Sequence, residues 1–128
     1  MIILLDTSTA VCKLDIVVGD NVLSYEWESG RQLAKGLLSF IKDCLDKNDY
    51  KWDDISGLGV FEGPGSFTGL RIGLTTMNTI ASARKVPIVA SKGDGWRGEV
   101  LSKLNAGHDV KITLPYYGSE PKITASKK

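Results

Sequence analysis

Residues 62–73 read Glu62-Gly63-Pro64-Gly65-Ser66-Phe67-Thr68-Gly69-Leu70-Arg71-Ile72-Gly73. Glycines on both sides of Pro64 let the backbone turn sharply and leave its amides unhindered. Ser66 can cap a helix that begins directly after it. The spacing is not that of a P-loop, which ends in Gly-Lys-Ser/Thr, nor that of G-x-G-x-x-G, because Gly69 falls one residue late. The stretch therefore predicts a turn followed by a helix, and a structural turn explains it better than a phosphate site does.

The predicted helix, residues 67–84, contains two glycines four residues apart on one face, Gly69 and Gly73. A glycine inside a helix costs about 1 kcal/mol relative to alanine. Two of them on one face indicate that another part of a protein approaches this backbone closely. The approaching group belongs either to the chain's own sheet or first helix, or to a helix of another chain, and the pattern leaves both readings open.

The first predicted helix, residues 31–47, has an apolar arc wider than one sheet face requires. Five apolar residues recur at helical spacing and three more widen the same arc: Leu33, Leu37, Phe40, Ile41 and Cys44, with Ala34, Leu38 and Leu45. The surplus predicts a helix–helix contact with another chain.

The rest of the chain reads as short apolar runs separated by turn residues. They predict strands at 2–5, 11–18, 22–27, 55–61 and 86–90 and a short helix at 96–104, while 110–114 could form a last strand before an extended tail at 115–128. Pro87 indicates an edge strand or an early strand position. The order βββ-α-β-α-β predicts an α/β fold, a mixed five-stranded sheet covered by helices, as in a ribonuclease-H-like or actin-like half-domain. We expect a lobe at 1–91 and a shortened C-terminal segment at 92–128.

Composition narrows the classes of function. The 128 residues fit one domain, and 16 Lys and Arg against 15 Asp and Glu lack the basic excess of a protein that grips RNA alone. Cys12 and Cys44 lie far apart and form no C-x-x-C pair, which argues against a disulfide framework or a zinc site. The apolar run at the start is too short to span a membrane and lacks a basic leader, so we expect a cytoplasmic protein with no membrane contact. We also expect no bound metal and no cofactor.

Catalytic candidates are few. His108 is the only histidine, and a pairing with Ser66 lacks the G-x-S-x-G elbow. We therefore assign no catalytic residue, although a stand-alone hydrolase remains an alternative, as do a small actin-like nucleotide-binding protein and a self-associating scaffold. Asp6, Thr7 and Ser8 stand where an actin-like phosphate loop would lie, but Asp, Ser and Thr also form polar turns readily, and we favour a vestigial loop that is a turn.

The run from Gly63 to Gly73 closely resembles the signature of the bacterial TsaB (YeaZ) family. The opening, residues 2–9, and Pro115-Tyr116-Tyr117 are similar to that family's first strand and C-terminal end. The resemblance implies a non-catalytic partner of the paralogous enzyme TsaD, which transfers a threonylcarbamoyl group to the adenosine beside the anticodon in certain tRNAs. A TsaE-like ATPase joins the family's assembly, tRNA is contacted indirectly, and the same helices could instead form a homodimer.

In this family the two helices of the N-terminal half contact TsaD in an intermolecular helical bundle. The interface residues that this implies here are Leu33, Leu37, Phe40, Gly63, Pro64, Gly65, Ser66, Phe67, Gly69, Leu70, Arg71 and Gly73. The family usually has a second lobe, and we expect a truncated one after Ser91. Many members also carry a histidine near the start of the first helix, where this chain reads Gly30-Arg31-Gln32.

Overall fold

Five strands and three α-helices make up residues 1–109, which are the residues that the computed structural model describes. In chain order they are β1 (Ile2–Asp6), β2 (Val11–Val18), β3 (Asn21–Glu28), α1 (Leu33–Asp46), β4 (Gly57–Phe61), α2 (Phe67–Arg84), β5 (Ile88–Ser91) and α3 (Trp96–Asn105). Short 3-10 turns at Gly30–Gln32 and Trp52–Asp54 precede α1 and β4. The predicted strand at 110–114 and tail at 115–128 lie outside the described residues.

The strands form one mixed sheet in the order β3-β2-β1-β4-β5. β1, β2 and β3 are an antiparallel meander, whereas β4 and β5 run parallel to β1. This confirms the predicted mixed five-stranded sheet of the ribonuclease-H-like fold. Parallel strands need crossover connections, and α1 and α2 supply them from β3 to β4 and from β4 to β5.

Two strands begin later than predicted. The fourth starts at Gly57 instead of residue 55, because the 3-10 turn at Trp52–Asp54 occupies the approach and Ile55 is buried as its C-cap. The fifth starts at Ile88 and lies at the sheet edge, consistent with Pro87 just before it. Pro87 has no amide hydrogen to donate, but its carbonyl accepts a hydrogen bond from the Leu58 amide at 2.9 Å.

Helices α1 and α2 cover one face of the sheet, where the larger of the two core clusters lies. Because each helix returns the chain between two parallel strands, both run against the strand direction and therefore parallel to each other. Their N-termini lie together at the edge where β1, β4 and β5 end. This places the turn after β4 beside the loop that follows β1.

Helix α3 covers the other face, where its Val100 packs over Gly59 of β4 and Leu4 of β1 in a second core cluster. Its Arg97 reaches β2 and donates from Nε to the carboxylate of the buried Asp15, with 2.8 Å between Nε and Oδ2. The chain between residues 92 and 105 therefore packs on the same sheet as the first lobe, and the predicted division at residue 91 stays a prediction. Within residues 1–109, no helix is long and apolar enough to cross a membrane.

Candidate partner interface

The loop after β1 and the first turns of α2 form one tightly packed unit. Thr7, only 1% exposed, donates from Oγ1 to the carbonyl of Gly69 at 2.7 Å. A Cβ added at Gly69 would lie 2.3 Å from the Thr7 carbonyl oxygen, and one added at Gly73 would lie 2.2 Å from Thr7 Oγ1. Both distances are far below van der Waals contact, so Thr7 occupies the notch that these two glycines leave in the helix.

Contacts of Ser8 extend this unit to the turn before α2. The Ser8 carbonyl accepts from the Ser66 amide at 2.9 Å, and its side chain lies against Gly65. The Ser8 amide donates to Asp6 Oδ1 at 2.8 Å, which closes a local Asx turn. Ser66 in turn caps α2, its Oγ accepting from the Gly69 amide at 3.2 Å. The residues predicted as a vestigial phosphate loop are thus engaged in holding α2.

Six of the twelve predicted interface residues are buried inside the chain itself: Leu33, Leu37, Gly63, Gly69, Leu70 and Gly73. These six pack within the chain itself, and their direct contact with a partner stays a prediction. Leu33 and Leu37 face the chain's own sheet and belong to its main core, and the two helix glycines contact Thr7. Phe40 is half-buried against Trp27 of β3, with 5.3 Å between ring centroids. Five are exposed: Pro64, Gly65, Ser66, Phe67 and Arg71.

Two large apolar side chains remain exposed on the layer that α1 and α2 form, which is called the helical layer here. Phe67, at the first position of α2, is 60% exposed, and Leu38, in the first half of α1, is 55% exposed. Leu38 was not among the predicted interface residues. The signal in the sequence that could have identified Leu38 is its position next to Leu37, at the outer edge of the wide apolar arc of α1.

The N-terminal ends of both helices carry positive charge. Arg31, Lys35 and Arg71 are exposed, and neither helix has an acidic residue in its first turn. The helix dipole is also positive at an N-terminus, so basic residues there are less favourable than acidic ones. A partner that brings carboxylates to this end would relieve that repulsion.

The side chains with catalytic potential lie in different surroundings. Ser66 acts as the cap of α2, and His108 is exposed near the end of the described chain. Burial raises the pKa of the Cys12 thiol to about 12 and that of Cys44 to about 11, which keeps both thiols protonated at neutral pH. Among residues 1–109, no three His, Cys, Asp or Glu side chains gather closely enough to hold a metal ion.

The chain is similar to proteins of tRNA threonylcarbamoyladenosine biosynthesis. The family model TsaD, tRNA N6-adenosine threonylcarbamoyltransferase, matches residues 27–91, just over half of the chain. The tRNA threonylcarbamoyladenosine biosynthesis protein TsaB of Buchnera aphidicola is 28% identical over 123 residues, covering 91% of this chain and 56% of that protein. The TsaB protein of Escherichia coli is 25% identical over 122 residues, covering 91% and 53%.

A solved structure agrees with these relatives. YeaZ from Pseudomonas aeruginosa superposes with a TM-score of 0.67 at 30% identity, over 71% of this chain and 43% of that one. The chain spans about half the length of the curated relatives that it matches.

Proposed function

The chain belongs to the TsaB (YeaZ) family, and we propose that it is a non-catalytic partner of a TsaD-like enzyme in tRNA threonylcarbamoyladenosine biosynthesis. The contact surface of this proposal is the outer face of α1 and α2 around Leu38 and Phe67. The observation that carries it is the exposure of these two side chains on a layer whose other large aliphatic residues serve the chain's own core. A few well-packed residues near the centre of a contact carry most of its binding energy.

The basic residues on the helical layer indicate which charge a partner should carry. Arg31, Lys35 and Arg71 lie at the end of the layer that also bears Phe67. A helical partner should therefore present apolar residues flanked by Asp or Glu. Complementary charge of this kind mainly increases the association rate and makes it sensitive to salt. A TsaE-like ATPase and indirect contact with tRNA remain predictions from the family resemblance.

The test is isothermal titration of the chain with the TsaD homologue of its own organism, supported by size-exclusion chromatography with light scattering. Leu38→Gln and Phe67→Gln should each weaken binding about tenfold, the effect of losing roughly 1.4 kcal/mol at a contact. Val22→Thr is the matched control, because Val22 has the same 55% exposure as Leu38 but lies on edge strand β3. Its affinity should equal that of the wild type.

Three outcomes would overturn the proposal. Two separate peaks at micromolar concentration, with the enzyme shown to be folded, would exclude a stable complex. Equal loss of affinity in Val22→Thr and Leu38→Gln would place the contact elsewhere. A dimer of the chain alone that Leu38→Gln dissociates, with no binding of the enzyme, would favour the self-associating scaffold.

A further inference from the structure

Thr7 lies where it can control the placement of the partner surface without being part of it. It is buried at the end of β1, and its hydroxyl bonds to Gly69, two residues along α2 from the exposed Phe67. Arg71 lies two residues further along the same helix and is also exposed. A shift of α2 at Thr7 would therefore move both of these surface side chains relative to α1.

The hydroxyl bond of Thr7 fixes the helix in place and is not needed to form it. Within an α-helix the carbonyl of residue 69 already faces the amide of residue 73, and a carbonyl oxygen can accept a second hydrogen bond. Removing the Thr7 hydroxyl leaves that helical pattern intact and loosens only the attachment of α2 to the loop after β1.

The two ends of α2 are held by different parts of the chain. Leu74, Met77 and Ile80, which pack in the main core, come late in the helix. The first turn is held by Leu70, by the Ser66 amide on the Ser8 carbonyl, and by Thr7. The end of α2 that bears Phe67 and Arg71 is thus attached directly to the loop after β1.

We propose that Thr7 is a positioning residue of the partner surface: seated between Gly69 and Gly73, it sets where Phe67 and Arg71 stand relative to α1. This inference rests on the proposed function. It assigns the loop at residues 6–9 a mechanical role in partner binding, in place of a role in holding nucleotide.

The test compares Thr7→Val with Thr7→Ser. Valine keeps the shape of threonine and removes the hydroxyl, whereas serine keeps the hydroxyl and removes the methyl group. Thr7→Val should weaken binding of the TsaD homologue about three- to tenfold, the factor expected for one hydrogen bond. Thr7→Ser should restore most of the affinity, even if both variants melt at similar temperatures.

Ile55→Ala is the matched control for lost stability. Ile55 is buried just before β4, at the end of the sheet opposite to the loop after β1. Its truncation should lower the unfolding temperature and leave the affinity of the folded chain unchanged.

Wild-type affinity in Thr7→Val, measured where all variants are folded, would overturn the positioning role while leaving the proposed function intact. A loss in Ile55→Ala as large as that in Thr7→Val would also overturn it, because stability alone would then explain both. Failure of the wild type to bind would instead reject the proposed function.

Discussion

A double-mutant cycle on Gly73 and Thr7 tests the central packing of the fold. Gly73→Ala should destabilise the chain, because the new methyl would lie 2.2 Å from Thr7 Oγ1 and 3.1 Å from Thr7 Cγ2. Thr7→Ala removes both of those atoms. What then remains is Cβ of residue 7 at 3.2 Å, a contact that a shift of a few tenths of an ångström relieves. The second substitution should therefore make room for the first.

The expected magnitudes follow from these contacts. For Gly73→Ala, overpacking costs about 1–3 kcal/mol and the strained Thr7–Gly69 hydrogen bond about 1, while alanine's helix propensity recovers about 1, giving a net loss near 2 kcal/mol. For Thr7→Ala, the lost hydrogen bond and methyl group together cost about 2 kcal/mol. In the double variant the overpacking is relieved and alanine's helix propensity still contributes about 1 kcal/mol, so it should cost about 1 kcal/mol instead of the additive 4, a coupling free energy of roughly 3 kcal/mol.

Gly69→Ala supplies the matched control. Its methyl would lie 2.3 Å from the backbone oxygen of Thr7, which no substitution of the Thr7 side chain removes. Thr7→Ala should therefore rescue Gly73→Ala and fail to rescue Gly69→Ala. Urea unfolding followed by tryptophan fluorescence measures all five variants, since the chain has 3 tryptophans. Additive losses for Thr7 and Gly73 within about 0.5 kcal/mol, or equal rescue of both glycine variants, would refute the packing described here.

Two further predictions concern titratable groups. Burial raises the pKa of the Glu62 carboxyl above its ordinary 4.5, with Lys92 opposing the shift. The stability gained from the protonated form is therefore present at low pH and lost as the pH rises through the raised pKa. Glu62→Gln should accordingly raise the urea midpoint at pH 7 and not at pH 4, and a gain that is the same at both pH values would contradict this. Cys12 and Cys44 are buried and the pKa values of their thiols are raised. A disulfide-exchange reagent at about pH 8 should therefore label neither cysteine in the folded chain and both in urea. Rapid labelling without denaturant would contradict this prediction.

The sequence predicted the order and type of the described elements because apolar periodicity follows directly from which face each element buries. Boundaries were less accurate for a physical reason. Ile55 is apolar and buried, so it reads as part of the strand, yet it is the cap of a 3-10 turn. Burial is shared by strand residues and by turn residues that point inward, and only the hydrogen-bond pattern separates them.

The glycines of α2 show where sequence reasoning about the site stops. The spacing of Gly69 and Gly73 indicated a close approach correctly, but the group that approaches, Thr7, bonds to Gly69 across 62 positions of chain. That contact exists because β4 pairs with β1, which brings the turn after β4 beside the loop after β1. Strand order is not visible in local periodicity, so an intramolecular notch and an intermolecular one give the same pattern.

The same limit applies to the outer face of α1. The width of the apolar arc correctly indicated more apolar surface than the sheet covers, but not which edge of the arc is left over. Trp27 of β3 packs across α1 at Gly36 and Phe40, which covers one edge and leaves Leu38 at the other. On such a helix, the apolar surface available to a partner is the part that the chain's own core leaves exposed. It can be located only once the neighbour that covers each edge is known, and here that neighbour comes from a different strand.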